Sequence, residues 1–196
     1  ITLTTTYDQG TSSEKITDAW VYVDETLIGA FELPATVPIL KEGSQNITIR
    51  PGIKINGISN TRSIYPFYTD IERRITLVKD SVINFSDAAT TYKSNVTFPW
   101  LEDFDFPGVT LDTTSKSTVG IEKISDPGLI FQQPGEDNNY SAFITLPADS
   151  SIFEAVSTQK YAFPGNGTAI FLEVNYKINH NLVVGVFYSL SGIRVQ

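Results

Sequence analysis

Apolar and polar residues alternate with a period of two along much of this chain, which is the spacing of a half-buried β-strand. The clearest example is 16–23, where Trp20 and Tyr22 fall on one face and Val21 and Val23 on the other. A helix would instead repeat its apolar positions every three or four residues. The pattern therefore predicts a strand.

Further short strands follow, separated by turn signals. A polar turn at 24–26 precedes a stretch that Pro34 and Pro38 break up, since proline cannot donate to a central strand. The alternation resumes over 47–50, and Pro51-Gly52 is a turn signal that closes the unit.

One more strand is predicted over 71–77, with 82–85 beside it. About six short strands in this length have the size and spacing of an immunoglobulin-like β-sandwich. We therefore predict that residues 1–85 form an all-β N-terminal domain.

The second half, 86–196, begins with a small and polar stretch at 86–91 that predicts a linker. Turn signals, among them 126–128 and 134–137, separate the apolar runs that follow. These runs are 96–100, 109–111, 119–124, 129–131, 140–146, 169–176 and 182–190. Such spacing predicts a jelly-roll-like sandwich, and only 151–157 favours a weak helical turn. Residues 191–196 predict the entrance to another strand, so the sequence is expected to stop inside this domain.

The run VYVDETLIGAFELPATVPILKEGSQNITIRPG, Val21 to Gly52, resembles the PEGA-type surface module. That module has a Val-x-Val-Asp turn, a glycine, a proline-bearing stretch and a Leu-x-x-Gly turn, although Asp24-Glu25 stands here where Asp-Gly is usual. Together with FPWLEDFD, the sequence over most of 13–106 is similar to uncharacterised surface lipoproteins of Bacteroidetes. This resemblance implies a lipid anchor upstream of the chain, outside the cytoplasm, and brings no catalytic residues.

Composition supports the all-β prediction and removes several functional classes. Charged residues make up 18% and aromatic residues 12%, a mixture that favours strands and turns. The absence of cysteine excludes thiol catalysis, disulfides and Cys-ligated zinc. The net charge of −8 gives no basic footprint, which argues against nucleic acid as a partner.

Acidic and aromatic residues interleave over 98–106. Glu102, Asp103 and Asp105 carry the hard oxygen atoms that Ca²⁺ prefers, so they are candidate calcium ligands, and Trp100 is a candidate ligand-binding ring. The alternative interpretation is an exposed acidic edge that discourages strand pairing while the aromatic rings fill the core.

The same carboxylates could serve as the acid and base of a glycosidase, although sequence does not supply the required geometry. A serine triad is not supported, because the single histidine, His180, lies between two asparagines in a predicted hairpin turn. No catalytic residue is therefore assigned.

A second aromatic cluster contains Tyr65, Phe67 and Tyr68, with Arg62 and Arg73 nearby in sequence. Aromatic rings with neighbouring donors are typical of sugar-stacking surfaces and of protein-binding hot spots, so the three are candidate ligand-binding residues. Packing inside a sandwich or between domains is the alternative.

These features favour a non-enzymatic extracytoplasmic surface lipoprotein that acts in adhesion, glycan binding or envelope assembly. A glycan or another envelope protein is the expected partner, calcium is the only candidate cofactor, and the outer membrane is the expected location. Two alternatives remain open: a carbohydrate-active enzyme or its accessory module using 100–106, and a structural spacer.

Overall fold

The protein is described by a computed structural model that covers residues 1–132, 138–165, 167–190 and 193–195. Strands make up 30% of the structure, and the only helices among the described residues are two short 3₁₀ turns, Tyr7–Gln9 and Ile55–Gly57, so the all-β prediction is confirmed. The turn predicted at 134–137 lies outside the described residues.

The strands are β1 (Thr2–Leu3), β2 (Asp18–Val23), β3 (Thr26–Glu32), β4 (Gly43–Lys54), β5 (Arg62–Ile64), β6 (Ile71–Leu77), β7 (Ala89–Thr90), β8 (Leu111–Thr113), β9 (Glu122–Ile124), β10 (Ser141–Phe143), β11 (Ala155–Ser157), β12 (Tyr188–Leu190) and β13 (Ile193–Val195).

A five-stranded antiparallel sheet organises the N-terminal part of the chain. Strand β2 lies between β3 and β4, and the other side of β4 pairs with both β6 and β5. This double pairing is possible because β4 has twelve residues: its first half pairs with β6 and its last three residues pair with β5.

The prediction that Pro51-Gly52 ends a strand is wrong, because β4 continues through both residues to Lys54. Pro51 lies opposite Ala19 of β2, and its carbonyl accepts the backbone N–H of Tyr65. Pairing on both sides therefore overrides the local turn signal.

The inner face of this sheet carries the main hydrophobic core. Its buried side chains come from alternate positions of β2, β4 and β6, as the period of two predicts. They are Ala19, Val21, Val23, Ile47, Ile49 and Ile71, together with Ala88. Ile1, Leu33, Val37, Ile39 and Phe85 pack against them from the connecting segments.

The packed N-terminal unit continues beyond residue 85. Ala88 and Thr90 are buried, and β7 pairs in parallel with β1. The stretch 86–91 is thus part of this unit, unlike the linker that the sequence predicts. A second buried cluster joins Leu3, Tyr65, Tyr68 and Tyr92.

The later part of the chain forms small antiparallel pairs, β8 with β11, β9 with β10 and β12 with β13. Strand β11 replaces the helical turn predicted within 151–157, and β13 confirms a strand near the C-terminal end. The apolar run 169–176, for which the sequence predicts a strand, pairs with no strand in the described part of the chain. Alternation supplies an apolar face, but a strand also needs a neighbour for its backbone.

The β2–β3 hairpin provides a test of turn chemistry. Its two loop residues, Asp24 and Glu25, both have positive φ, 47° and 66°, which is the type I′ arrangement that favours Asn-Gly or Asp-Gly. We expect Glu25→Gly to raise the free energy of unfolding by about 0.5–1 kcal/mol, because glycine adopts this conformation without steric cost. Urea unfolding measures the change. Glu25→Ala is the control, and an equal gain in that variant would contradict the explanation.

Candidate functional site

The outer face of the five-stranded sheet holds a groove of about 680 Å³, which we call the outer groove. Strand register places its side chains in two rows. Tyr22, Thr48 and Glu72 lie opposite one another across β2, β4 and β6, and Asn46 lies opposite Arg74 in the next row. Neighbouring strands are about 4.8 Å apart, so each row brings its polar groups close together.

Asp24 extends the second row at the hairpin end. Its backbone N–H donates to the carbonyl of Asn46, and its carboxylate accepts the backbone N–H of Asn46 at 2.9 Å. This hydrogen bond, followed by the contact with Lys41, lowers the pKa of Asp24 below its usual value. The turn that carries Asp24 is thereby held against β4.

Several polar groups in the outer groove remain available to a ligand. Among the described residues, no hydrogen bond or ion pair engages the side chains of Thr48, Glu72 or Asn46, and Arg74 uses only its Nε, which donates to Ser44 Oγ at 3.0 Å. Together they offer a hydroxyl, a carboxylate, an amide and a guanidinium within two adjacent rows.

One wall of the groove is already organised. The Nε of Arg50 donates to Asp70 Oδ2 at 2.9 Å, and its guanidinium carbon lies 4.7 Å from the centre of the Tyr22 ring. The hydrogen bond to Asp70 raises the pKa of the Arg50 guanidinium above its usual value. Arg50 thus holds the Tyr22 ring at the edge of the groove.

Charges of both signs line the groove, and several of them are already paired. Arg50 pairs with Asp70, and Asp24 pairs with Lys41. Arg73 lies opposite the core residue Ile47 and pairs with Asp87, so its charge belongs to the other side of the sheet. On the outer face of β6, Glu72 and Arg74 offer one charge of each sign, which suits a ligand that both donates and accepts hydrogen bonds.

The other end of the outer face is closed by a network of charges. Arg62 contacts Glu32 at 2.6 Å and the buried carboxylate of Asp18 at 3.3 Å, and Lys54 contacts Glu32 at 2.7 Å. The hydrogen bond from Lys54, followed by the charges of Lys54 and Arg62, lowers the pKa of Glu32. Beside this network, Trp20 packs against Gly52.

The three residues predicted as ligand-binding in the second aromatic cluster do lie together. Tyr65 and Tyr68 are only 3% and 4% exposed, and Phe67 makes an edge contact with Tyr65 at 5.4 Å. Phe171 packs on both Tyr65 and Phe67. The cluster therefore joins the segment around Phe171 to the N-terminal unit. This arrangement agrees with the alternative interpretation of the cluster, in which its rings pack inside the protein.

Glu173 makes the polar contacts of this junction. The hydroxyls of Tyr65 and Tyr92 donate to its two carboxylate oxygens, the second at 2.7 Å. Burial, reinforced by Glu173, raises the pKa of both tyrosines above the usual range. Both phenols consequently stay protonated at neutral pH.

The fourth predicted ligand-binding residue, Trp100, lies outside this cluster. Its Nε1 donates to Thr110 Oγ1 at 2.8 Å, and its ring stacks on Tyr161 with centroids 6.1 Å apart. Thr110 also donates through its hydroxyl to Glu102 at 2.6 Å. Trp100 and Glu102 thus share one hydrogen-bonded loop.

The candidate calcium ligands act within that same loop. Glu102 also accepts the backbone N–H groups of Phe104 and Thr110, and Asp103 accepts that of Asp105. Within the described ranges, no group of three or more acidic or histidine side chains is arranged to hold a metal ion. Calcium binding by these residues stays a prediction.

Sequence reasoning missed the outer groove, although part of its signal was present. The alternation over 16–23 places Tyr22 on a shared face with Trp20, and the pattern over 47–50 places Thr48 beside Arg50. Only the pairing of β4 with β6 brings Glu72 and Arg74 to these residues.

Comparison of the chain with protein-family models, curated proteins and solved structures gave no match. In the part of the chain that the structure describes, no helix has the length and apolar character needed to cross a membrane.

The tyrosine–glutamate junction predicts a loss of stability at alkaline pH. Unfolded tyrosine has a pKa near ~10, whereas Tyr65 and Tyr92 are held protonated in the fold, so the unfolded chain loses protons first. The free energy of unfolding should be unaffected by these groups below about pH 10 and fall above it, by up to about 1.4 kcal/mol per pH unit for each tyrosine.

Urea unfolding at several pH values measures this slope. Tyr92→Phe should unfold with a shallower dependence on pH above about pH 10. Tyr7→Phe, at an exposed tyrosine, is the matched control and should keep the wild-type slope. Identical slopes for Tyr92→Phe and wild type would contradict the assignment.

Proposed function

We propose that this chain is a non-enzymatic, extracytoplasmic binding module of a surface lipoprotein, and that it holds a glycan in the outer groove. The observation that supports this function is the registered pair of rows, Tyr22–Thr48–Glu72 and Asp24–Asn46–Arg74, on one face of the sheet. Their unpaired polar groups lie beside an aromatic ring that Arg50 fixes in place.

A sugar is the ligand class that matches this chemistry. Its hydroxyl groups both donate and accept, so one ring can donate to the carboxylate of Glu72 and accept from the guanidinium of Arg74. The Asn46 amide can do both. The apolar face of a sugar ring stacks on the face of an aromatic ring, and Tyr22 is the aromatic residue that lines the groove. The opposite charges of Glu72 and Arg74 favour a neutral glycan over a polymer of one charge sign.

The proposed scaffold is a PEGA-like or immunoglobulin-like sandwich followed by a jelly-roll-like domain. Support for the first comes from the antiparallel sheet and the segments that pack on its inner face. Support for the second is limited to the antiparallel pairs β8–β11 and β9–β10. The resemblance over 13–106 supports a location at the outer membrane, with a lipid anchor, and a role in adhesion or envelope assembly.

Glycan binding is tested with a glycan array, followed by calorimetric titration of a glycan that binds. Glu72→Ala and Arg74→Ala each remove a charged hydrogen-bonding group and should weaken binding roughly 10-fold or more, because such hydrogen bonds contribute about 1.5–3 kcal/mol. Thermal unfolding of each variant checks that the sheet is intact.

Glu122→Ala is the matched control, since Glu122 is also an exposed glutamate on a strand but belongs to β9. It should bind like the wild type. A blank array, or affinities unchanged by both groove substitutions, would overturn the proposed site.

A further inference from the structure

The segment 170–178 has an apolar side that faces away from the protein. Its backbone runs from 170 to 178 without a helix, turn or bend, so successive side chains point to opposite sides. The even-numbered side chains are all apolar or aromatic and remain 45–61% exposed. We call this row the apolar stripe, and its members are Ile170, Leu172, Val174, Tyr176 and Ile178.

The odd-numbered side chains hold the same segment to the rest of the protein. Phe171 and Glu173 contact the buried tyrosines of the N-terminal unit. Asn175 accepts the hydroxyl of Ser13 at 2.8 Å, and Lys177 donates to a backbone carbonyl at 3.3 Å. Because these contacts fix the orientation of the segment, the apolar stripe cannot turn inward without breaking them.

The chemistry of the apolar stripe limits what can cover it. None of its five side chains carries a charge, and the hydroxyl of Tyr176 is its one polar group. A charged group of a partner would lose its hydration there and gain no opposite charge in return. The stripe therefore suits a partner that presents an uncharged apolar row of its own.

The order of residues in the stripe makes it complementary to itself. When two copies meet in antiparallel orientation about Val174, each Val174 faces its equivalent. Ile170 then meets Ile178 of the other copy, and Leu172 meets Tyr176. A twofold dimer requires this reciprocity, because each residue meets the position that meets it. A second copy of the chain thus supplies the apolar row that the stripe needs.

We propose that two copies of this chain form a twofold dimer in which their apolar stripes pack face to face, with Val174 on the axis. A standard interface buries about 800 Å² on each partner, more than five half-exposed side chains supply. Further exposed apolar residues follow at 182–186 and add to this surface; they are Leu182, Val183, Val184 and Val186.

The size of the surface and the charge of the chain set the expected strength of the dimer. Each copy carries a net charge of −8, so long-range repulsion opposes association, and salt screens it. We expect a weak dimer, with a Kd of about 1–100 µM, because interfaces near the small end of the range are transient. This dimer should tighten as salt is added.

Sedimentation equilibrium of the whole chain, over a concentration series at about 0.05 M and 0.5 M NaCl, tests the association. The average mass should rise from 21.6 kDa towards twice that value, and at lower protein concentration in the higher salt. A constant monomer mass, a mass that exceeds the dimer, or dissociation by salt would each overturn the proposal.

A charge on the axis tests whether the stripe is the interface. Val174→Glu brings two carboxylates together in the dimer and should weaken association at least 10-fold. Val82→Glu is the matched control, since Val82 is an exposed valine between β6 and β7, and it should associate like the wild type. Equal association of Val174→Glu and wild type would place the dimer contact elsewhere and overturn the proposal.

Cysteine cross-linking tests the antiparallel register, because the chain has no cysteine of its own. Val174→Cys should form a disulfide-linked dimer under a mild oxidant much faster than Val82→Cys, since a disulfide needs Cβ atoms about 3.5–4.5 Å apart. A mixture of Ile170→Cys and Ile178→Cys chains should cross-link several-fold faster than either chain alone. Equal rates in either comparison would contradict the register, and these variants decide the matter if Val174→Glu does not fold.

Discussion

The N-terminal unit depends on the pairing of one long strand, β4, along both of its edges. Strand β2 pairs with one edge, and β6 and β5 divide the other between them. Because side chains alternate across a strand, this register assigns every residue of β4 to the core or to the outer face. A shift by one residue would expose Ile47 and Ile49 and bury Thr48.

The two faces of the sheet therefore carry different kinds of side chain. The inner face buries aliphatic side chains and supplies the hydrophobic stabilisation of the unit. The outer face is polar and organised in sections, with the charged network of Arg62 and Glu32 at one end and the outer groove at the other. Trp20 lies between them and packs against Gly52, and Arg50 holds Tyr22 at the near edge of the groove.

Local patterns predicted the longer strands of the N-terminal unit better than their ends, and the strand predicted over 82–85 does not form. The alternation over 16–23 and 71–77 yielded β2 and β6, but Pro51-Gly52 did not end β4, because partners on both sides extend it. The apolar run 169–176 forms no strand among the described residues, although the sequence predicts one. Its contacts with the N-terminal unit are made by side chains, such as those of Glu173 with Tyr65 and Tyr92.

The sequence by itself determined the all-β character, the alternating faces and the polar turn after Val23, because these depend on residues close together in the chain. Only the tertiary structure decided that Tyr65 and Phe67 pack against Phe171, about a hundred residues away, and that Glu72 and Arg74 complete a groove with Thr48 and Asn46. The physical reason is that register and long-range packing depend on which strands pair, and a period of two is the same for every partner.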